Sequence, residues 1–151
     1  MTPVGLIEAL STELEQATAN FKFIAEQQPP KRVRIYRHSV PTDEFELDSF
    51  YPLVVVEFLT AEDTDEGSII SLLITAGTYH EERRDDFWRE HFNLVETIRQ
   101  YILGHRVIGN KFILTLPIQY GVVEQQTENF MFSNFFVQYL IPAQPIPSVP
   151  W

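Results

Sequence analysis

Two apolar, β-branched runs separated by a short acidic turn constrain the fold of this chain more than any other feature. Leu53 to Leu59 reads Leu-Val-Val-Val-Glu-Phe-Leu, and Ser68 to Ala76 repeats that character. The segment between them, Glu62 to Gly67, is mostly acidic and ends in glycine. Such residues favour extended strands, and a turn between two runs makes them antiparallel neighbours. The sequence therefore predicts a long β-hairpin.

Helical periodicity lies on both sides of this hairpin. Thr2 can cap a helix that begins at Pro3, in which apolar residues recur every three to four positions until the pair Pro29-Pro30 stops it. A second helix is predicted from Arg84 to Leu103, and Gly104 provides a C-terminal stop.

Three further strands complete the pattern: Lys31 to His38, Lys111 to Leu116 and Asn134 to Leu140. The order is helix, three strands, helix, two strands. It predicts an α+β fold, with a mostly antiparallel sheet of about five strands and two helices packed on one face. We expect one domain over residues 1–141 and an extended, proline-rich C-terminal tail over residues 142–151.

Composition limits the classes of function. Eleven basic and twenty-one acidic residues among 151 give a formal net charge of −10, which is the wrong sign for coating nucleic acid or anionic lipid. Cysteine is absent, so disulfides, thiolate metal sites and cysteine nucleophiles are excluded. Without a run of about 18 apolar residues or a signal-like N-terminus, we expect a soluble protein made in the cytoplasm, with no membrane partner.

Motifs for cofactors and catalysis are incomplete. The sequence from Gly104 to Lys111 partly matches the motif of a phosphate-binding loop. However, Asn110 is inserted before the lysine, and Phe112 replaces the Ser or Thr that holds magnesium in that motif. Glu62 to Gly67 fails as a calcium loop, because Leu73 stands where the bidentate carboxylate belongs. We interpret both segments as turns and expect no cofactor and no catalytic residues.

The densest group of possible metal ligands and acid–base residues lies at the start of the second predicted helix. Its spacing does not suit a metal site, since His91 has no second histidine at i+4. A small acidic enzyme stays open as an alternative, with His80 or His91 and Asp85 as acid and base in a pocket between helix and sheet. The group comprises His80, Glu81, Glu82, Asp85, Asp86, Glu90 and His91.

Charge is segregated along the chain. Basic residues gather on the strand from Lys31 to His38, and acidic residues gather at the hairpin turn. This separation suits head-to-tail contacts between copies, in which the basic strand of one copy meets the acidic turn of the next. A solvated sheet edge protected by charge explains the basic strand equally well. The candidate subunit-interface residues are Arg32, Arg34, Arg37, Glu62, Asp63 and Asp65.

Aromatic residues are dense near the end of the chain, in the last predicted strand and just before it. Half of the side chains of a strand face away from the core, so some of these rings meet a second layer or a partner. The other interpretation is that they serve the core alone, because the two helices also need a surface to pack on. The residues are Phe130, Phe132, Phe135, Phe136 and Tyr139.

From Tyr51 onward, the pattern resembles the phage tail terminator, or tail-to-head joining, proteins of tailed phages and prophages. The resemblance covers about two thirds of the chain, and the charged stretch His80 to Asp86 and the polar stretch Glu124 to Asn129 depart from it. It rests on the hairpin with its turn ending in Glu66-Gly67, the strand into Gly77-Thr78-Tyr79, the helix Phe92 to Arg99, the segment Val107 to Phe112 with Leu114, Leu116 and Pro117, and the aromatic strand with its proline-rich end.

The resemblance implies a small, non-enzymatic α+β subunit that assembles as a ring, usually of six copies, on the last ring of the tail tube. There it stops tube growth and offers a surface for head attachment. The implied partners are other copies, the tail tube protein and a head-completion or connector protein, at the head-proximal end of a virion tail assembled in the bacterial cytoplasm. A head-completion or neck connector protein of the same particle is the alternative. We expect the tail residues Pro142, Pro145, Pro147 and Trp151 to contact a neighbouring subunit or a docking partner.

Overall fold

The computed structural model describes residues 3–23, 31–39, 51–80, 87–123 and 129–143. Helix α1 spans Pro3–Thr18 and helix α2 spans Phe87–Gly104. The predicted start of the second helix, Arg84, and the predicted cap Thr2 lie outside the described residues. The strands are β1 Lys22–Phe23, β2 Lys31–Arg32, β3 Arg34–Arg37, β4 Leu53–Thr64, β5 Gly67–Tyr79, β6 Val107–Ile108, β7 Phe112–Val122 and β8 Phe130–Pro142.

Six of these strands form one mixed, curled sheet in the order β3-β4-β5-β8-β7-β6. Strand β3 runs parallel to β4, and the other neighbours in this sheet are antiparallel. Strands β1 and β2 form a separate antiparallel pair. The predicted sheet of about five mostly antiparallel strands is therefore wrong in both strand number and strand direction.

Two physical reasons account for the difference. The predicted strand from Lys31 to His38 is divided at Val33, so β2 pairs with β1 while β3 joins the large sheet. The long connection between Arg37 and Leu53 then permits a parallel arrangement, because a crossover needs about a dozen residues. Strand β6 has only two residues, which is too short for a periodic pattern to indicate it.

Helix α1 ends at Thr18, well before the predicted stop at Pro29-Pro30. The Thr18 hydroxyl donates to the carbonyl of Leu14 at 2.8 Å, and the backbone N–H of Phe21 donates to the carbonyl of Thr18 at 3.0 Å. The chain then enters β1, where its backbone groups pair with β2 and no longer need a helical partner.

Both helices pack on one face of the large sheet, which we call the inner face. Register aligns the apolar residues of neighbouring strands there: Ile74 lies opposite Phe135, and Leu72 lies opposite Val137. The side chains buried between the helices and this face include Leu6, Leu10, Leu14, Val54, Val56, Ile70, Leu72, Ile74, Ala76, Leu94, Ile98, Ile102, Phe112, Phe135, Val137 and Tyr139. Their burial is the main source of stability in a fold of this kind.

The β-hairpin that the sequence predicts is present as β4 and β5. Pairing runs from Leu53 opposite Gly77 to Thr64 opposite Gly67, with one irregularity between Phe58 and Thr60. The side chains from Phe58 to Thr64 are all exposed. The end of the hairpin therefore extends beyond the layer covered by the helices.

Candidate functional site

His80 and His91, the two candidate acid–base histidines, contact different polar side chains. The Nε2 atom of His80 lies 2.9 Å from the Oε2 atom of Glu90. His91 lies 2.9 Å from the Thr78 hydroxyl through Nδ1 and 2.7 Å from the Ser133 hydroxyl through Nε2. Asp85, the carboxylate of the enzymatic alternative, lies outside the described residues.

A serine Oγ at 2.7 Å from a histidine Nε2 is the spacing of an activated nucleophile. Here, however, His91, Ser133 and Thr78 have exposed fractions of 0%, 1% and 0%, so a substrate has no access to the serine hydroxyl. Burial lowers the pKa of His91 to about 4. The ring is therefore neutral at pH 7, and one nitrogen donates while the other accepts. This arrangement joins helix α2 to strands β5 and β8 and is a structural contact.

The segment from Gly104 to Lys111, whose sequence partly matches a phosphate-binding loop, contains a tight turn. Gly109 and Asn110 have φ angles of 58° and 60°, the left-handed conformation that two-residue turns between strands require. The turn joins β6 to β7, and the backbone N–H of Lys111 donates to the carbonyl of Ile108. A phosphate cradle needs a strand, a loop and a helix N-terminus in that order.

The described residues contain neither a cluster of metal ligands nor a membrane-spanning helix. Within residues 3–23, 31–39, 51–80, 87–123 and 129–143, no group of three or more His, Asp or Glu side chains is placed to hold a metal ion. Residues 81, 82, 85 and 86 of the predicted acidic group lie outside these ranges. Neither described helix is long and apolar enough to cross a membrane.

The predicted basic interface residues point to different sides of the sheet edge. Arg37 lies on the helix side, where its guanidinium contacts Glu8 at 2.9 Å and Glu15 at 3.2 Å on α1. Arg34 is paired in register with Leu53 and is exposed on the opposite side. Arg32 is exposed in the short strand β2. Arg32 and Arg34 both line a cleft of about 500 Å³ between β3 and the end of α1.

The predicted acidic residues Glu62, Asp63 and Asp65 are all exposed at the tip of the β4–β5 hairpin. Strand β3 pairs with the other end of β4, from Leu53 to Val56. Six residue spacings along the strand separate Val56 from Glu62, which is a distance of about 20 Å. The basic edge and the acidic tip of one chain therefore lie too far apart to neutralise each other.

The face of the large sheet that points away from both helices, which we call the outer face, carries an aromatic cluster. Its four rings have centroids 4.7 to 6.5 Å apart. Gly77 lies beneath them, and a Cβ atom there would approach the Tyr51 ring to 2.8 Å and the Phe132 ring to 3.0 Å. The four residues of the aromatic cluster are Tyr51, Tyr79, Phe130 and Phe132.

Further along the outer face, a groove of about 430 Å³ crosses β4, β5, β8 and β7. Two register irregularities border it, one between Phe58 and Thr60 and one between Thr115 and Gln119. Phe136 is 49% exposed beside it and Leu59 is 41% exposed. We call this feature the outer groove; its lining residues are Leu59, Thr60, Ser71, Leu72, Pro117, Gln119, Phe136, Val137 and Gln138.

Sequence reasoning did not identify the outer groove. The density of aromatic residues in the last strand was a signal for it, because Phe136 is one of those residues. The two irregularities have no periodic signature, however, and they bring Leu59 and Pro117 to the borders of the groove.

The predicted tail begins beside the acidic turn. Pro142 is the last residue of β8, and the backbone N–H of Ala143 donates to the carbonyl of Glu66 at 2.9 Å. The remaining tail candidates, Pro145, Pro147 and Trp151, lie outside the described residues.

Comparisons with known proteins relate the chain by fold and not by sequence. No protein-family model matches it, and no curated protein matches it. A solved structure described as the virion of a native gene transfer agent particle contains a similar chain, with a TM-score of 0.50 and 11% sequence identity. The similarity covers 91% of the present chain and 95% of the other. At this identity, the likeness shows a common fold.

Proposed function

We propose that this protein is a structural component of a virion, specifically a subunit of the tail terminator type. It forms a ring on the end of a tail tube, stops polymerisation of the tube and provides a surface for attachment of the head. The observation that carries the proposal is the fold shared with a chain of a gene transfer agent virion over 91% of the present chain. The resemblance of residues 51 onward to tail terminators supports the specific role.

The distribution of charge supports assembly from identical copies. Arg34 at the sheet edge and Asp63 and Asp65 at the hairpin tip are exposed at separate ends of β4. One copy can therefore present its basic edge to the acidic tip of the next, where the Asp63 carboxylate also accepts a hydrogen bond from the Ser68 hydroxyl. Each such contact is weak in water, and a closed ring repeats it once per subunit.

The placement of the histidines supports action by binding and not by catalysis. His91 and Ser133 are enclosed in the core. A general acid or base has to reach the substrate within hydrogen-bond distance. We therefore propose that this protein works through its surfaces.

A head-completion or neck connector role is the second candidate. The similar chain belongs to a whole virion particle. A connector, like a terminator, acts by binding other subunits of the particle. It differs from a terminator in the partner that it meets, which is the portal side of the neck and not the tail tube.

Tube-length control tests the proposal directly. A tail tube protein from the same phage or prophage is polymerised alone, with the wild-type chain, and with the Arg34→Glu variant, and tube lengths are measured by negative-stain microscopy. We expect short, capped tubes with the wild-type chain and a broad length distribution with the variant. Tubes of unchanged length at saturating wild-type protein would overturn the terminator role, and binding to purified portal instead would favour the connector.

A further inference from the structure

We infer that the outer groove is the docking site for residues 144–151 of a neighbouring copy of this chain. This inference adds a specific contact to the proposed function and rests on it only in requiring that copies assemble. The experiments below give different results if the docking fails and if the terminator role fails.

The chemistry of the groove selects an uncharged, partly apolar ligand. None of its nine lining residues is charged, although charged residues make up 21% of the chain. Phe136, Leu59 and Pro117 supply apolar contact area, and Gln119 and Gln138 supply amide groups at the same site. Proline-rich segments dock on grooves that present aromatic rings, and Phe136 supplies such a ring here.

Residues 144–151 match that chemistry. They read Gln-Pro-Ile-Pro-Ser-Val-Pro-Trp, with three prolines, three large apolar side chains and no charged side chain. Two copies that each carry a formal charge of −10 repel one another. An uncharged segment on an uncharged groove allows contact between them without adding to that repulsion.

The dimensions also agree. The groove crosses four neighbouring strands, and three spacings of about 4.8 Å make it about 14 Å long. A polyproline II segment rises about 3.1 Å per residue, so about five residues fill the groove. The eight residues after Ala143 supply these five and leave about three to bridge the two copies.

The direction of the chain points to a neighbour's groove and not to its own. Strand β8 passes the groove at Val137 and Gln138 and then continues to Pro142. The hydrogen bond from Ala143 to Glu66 holds the exit point at the hairpin tip, about 15 Å beyond the groove. To occupy the groove of its own copy, the chain would have to reverse direction after Ala143 and return by about 15 Å.

The absence of cysteine from the chain allows a direct cross-linking test. The full-length variants Gln119→Cys in the groove and Ser148→Cys in the segment are made separately, one with a mass tag, then mixed and mildly oxidised. We expect a mixed disulfide dimer on a non-reducing gel. The matched control replaces Gln119→Cys with Gln100→Cys, on an exposed site of α2. We expect its yield of mixed dimer to be about tenfold lower.

A second variant tests the groove chemistry. In the Gln119→Cys background, Phe136→Gln removes the exposed ring and should lower the yield of mixed dimer about tenfold. Val107→Gln is the control, since Val107 is 58% exposed on β6, away from the groove. It should leave the yield unchanged, and circular dichroism checks that both variants are folded.

Two results would overturn the inference: equal yields for the groove pair and the control pair, or an intrachain disulfide in the double variant Gln119→Cys/Ser148→Cys that forms at every dilution. The tube-length measurement separates this inference from the proposed function. A high yield of cross-linked dimer with unchanged tube lengths would support the docking and contradict the terminator role. Short, capped tubes without a cross-linked dimer would contradict the docking and leave the terminator role in place.

Discussion

The Nε2 atom of His91 lies 2.7 Å from the Oγ atom of Ser133, so helix α2 is joined to strand β8 by a hydrogen bond closed to solvent. The other ring nitrogen contacts the Thr78 hydroxyl on β5. Three separate segments of the chain therefore meet at one neutral imidazole. Buried polar groups of this kind contribute to stability when they are all satisfied and are costly when one partner is removed.

The first prediction concerns pH. Burial holds the pKa of His91 at about 4 in the folded chain, below its ordinary value of about 6.5 in the unfolded chain. As the pH falls from 6.5 toward 4, the unfolded chain binds a proton that the folded chain does not, so the free energy of unfolding decreases. The loss attributable to His91 is at most about 3 kcal/mol.

Urea denaturation of the wild type and of His91→Gln, each at pH 7.5 and pH 4.5, measures this effect. The wild type should lose more stability between the two pH values than the variant does. An equal loss in both proteins would show that other groups carry the acid sensitivity.

The second prediction concerns the serine. Ser133→Ala removes one partner of His91 and leaves a buried ring nitrogen unsatisfied, which should lower the free energy of unfolding by about 1–3 kcal/mol. Thr97→Ala is the control, because the Thr97 hydroxyl bonds only to a backbone carbonyl of its own helix at an exposed site. Its effect should be below about 0.5 kcal/mol. A similar cost for both variants would argue against the role given to the His91 contact.

The third prediction concerns the hairpin tip. Gly67 has a φ of 142°, and a Cβ atom there would collide with the backbone carbonyl of Ile141 on β8. Gly67→Ala should therefore destabilise the protein by about 1–3 kcal/mol in thermal denaturation. Gly104→Ala is the matched control, since a Cβ atom at Gly104 meets nothing within 4 Å. If the two variants melt alike, the hairpin tip is not fixed by β8.

The fourth prediction concerns the basic edge. Arg34→Glu should raise the concentration needed for assembly about tenfold, as measured by light scattering, while the melting temperature stays near that of the wild type. Arg37→Glu is the contrasting variant, because Arg37 binds Glu8 and Glu15 within the chain. It should lower monomer stability by less than about 1 kcal/mol, because those pairs are exposed. Unchanged assembly of a folded Arg34→Glu protein would remove Arg34 from the interface.

The fifth prediction concerns the tail. A chain that ends after Pro142 keeps all of β8 but loses the hydrogen bond from Ala143 to Glu66. Its free energy of unfolding should fall by no more than about 1.5 kcal/mol, and it should assemble less readily. Light scattering and tube-length measurements test the two expectations together. A truncated chain that assembles and caps tubes normally would show that residues 143–151 are dispensable for both steps.

Elements with a strong repeating pattern could be predicted from the sequence. The hairpin was visible in its β-branched runs, and α2 was visible in the apolar stripe that buries Leu94, Ile98 and Ile102. These patterns exist because one face of each element is buried, and burial selects apolar side chains at the period of the element.

Features set by long-range pairing could not be predicted. The parallel contact between Arg34 and Leu53 depends on where a long connection returns the chain, and no local pattern records that position. The separate partners of β2 and β3 have the same cause. The outer groove depends on two register irregularities, which are properties of paired strands and not of either strand alone.

The sheet divides its residues between two tasks. Side chains on the inner face, such as Leu72 and Phe135, are enclosed and determine whether the chain folds. Side chains on the outer face, such as Phe136 and Gln138, are exposed and can change at little cost in stability. An architecture of this kind can exchange one binding partner for another by surface substitution alone.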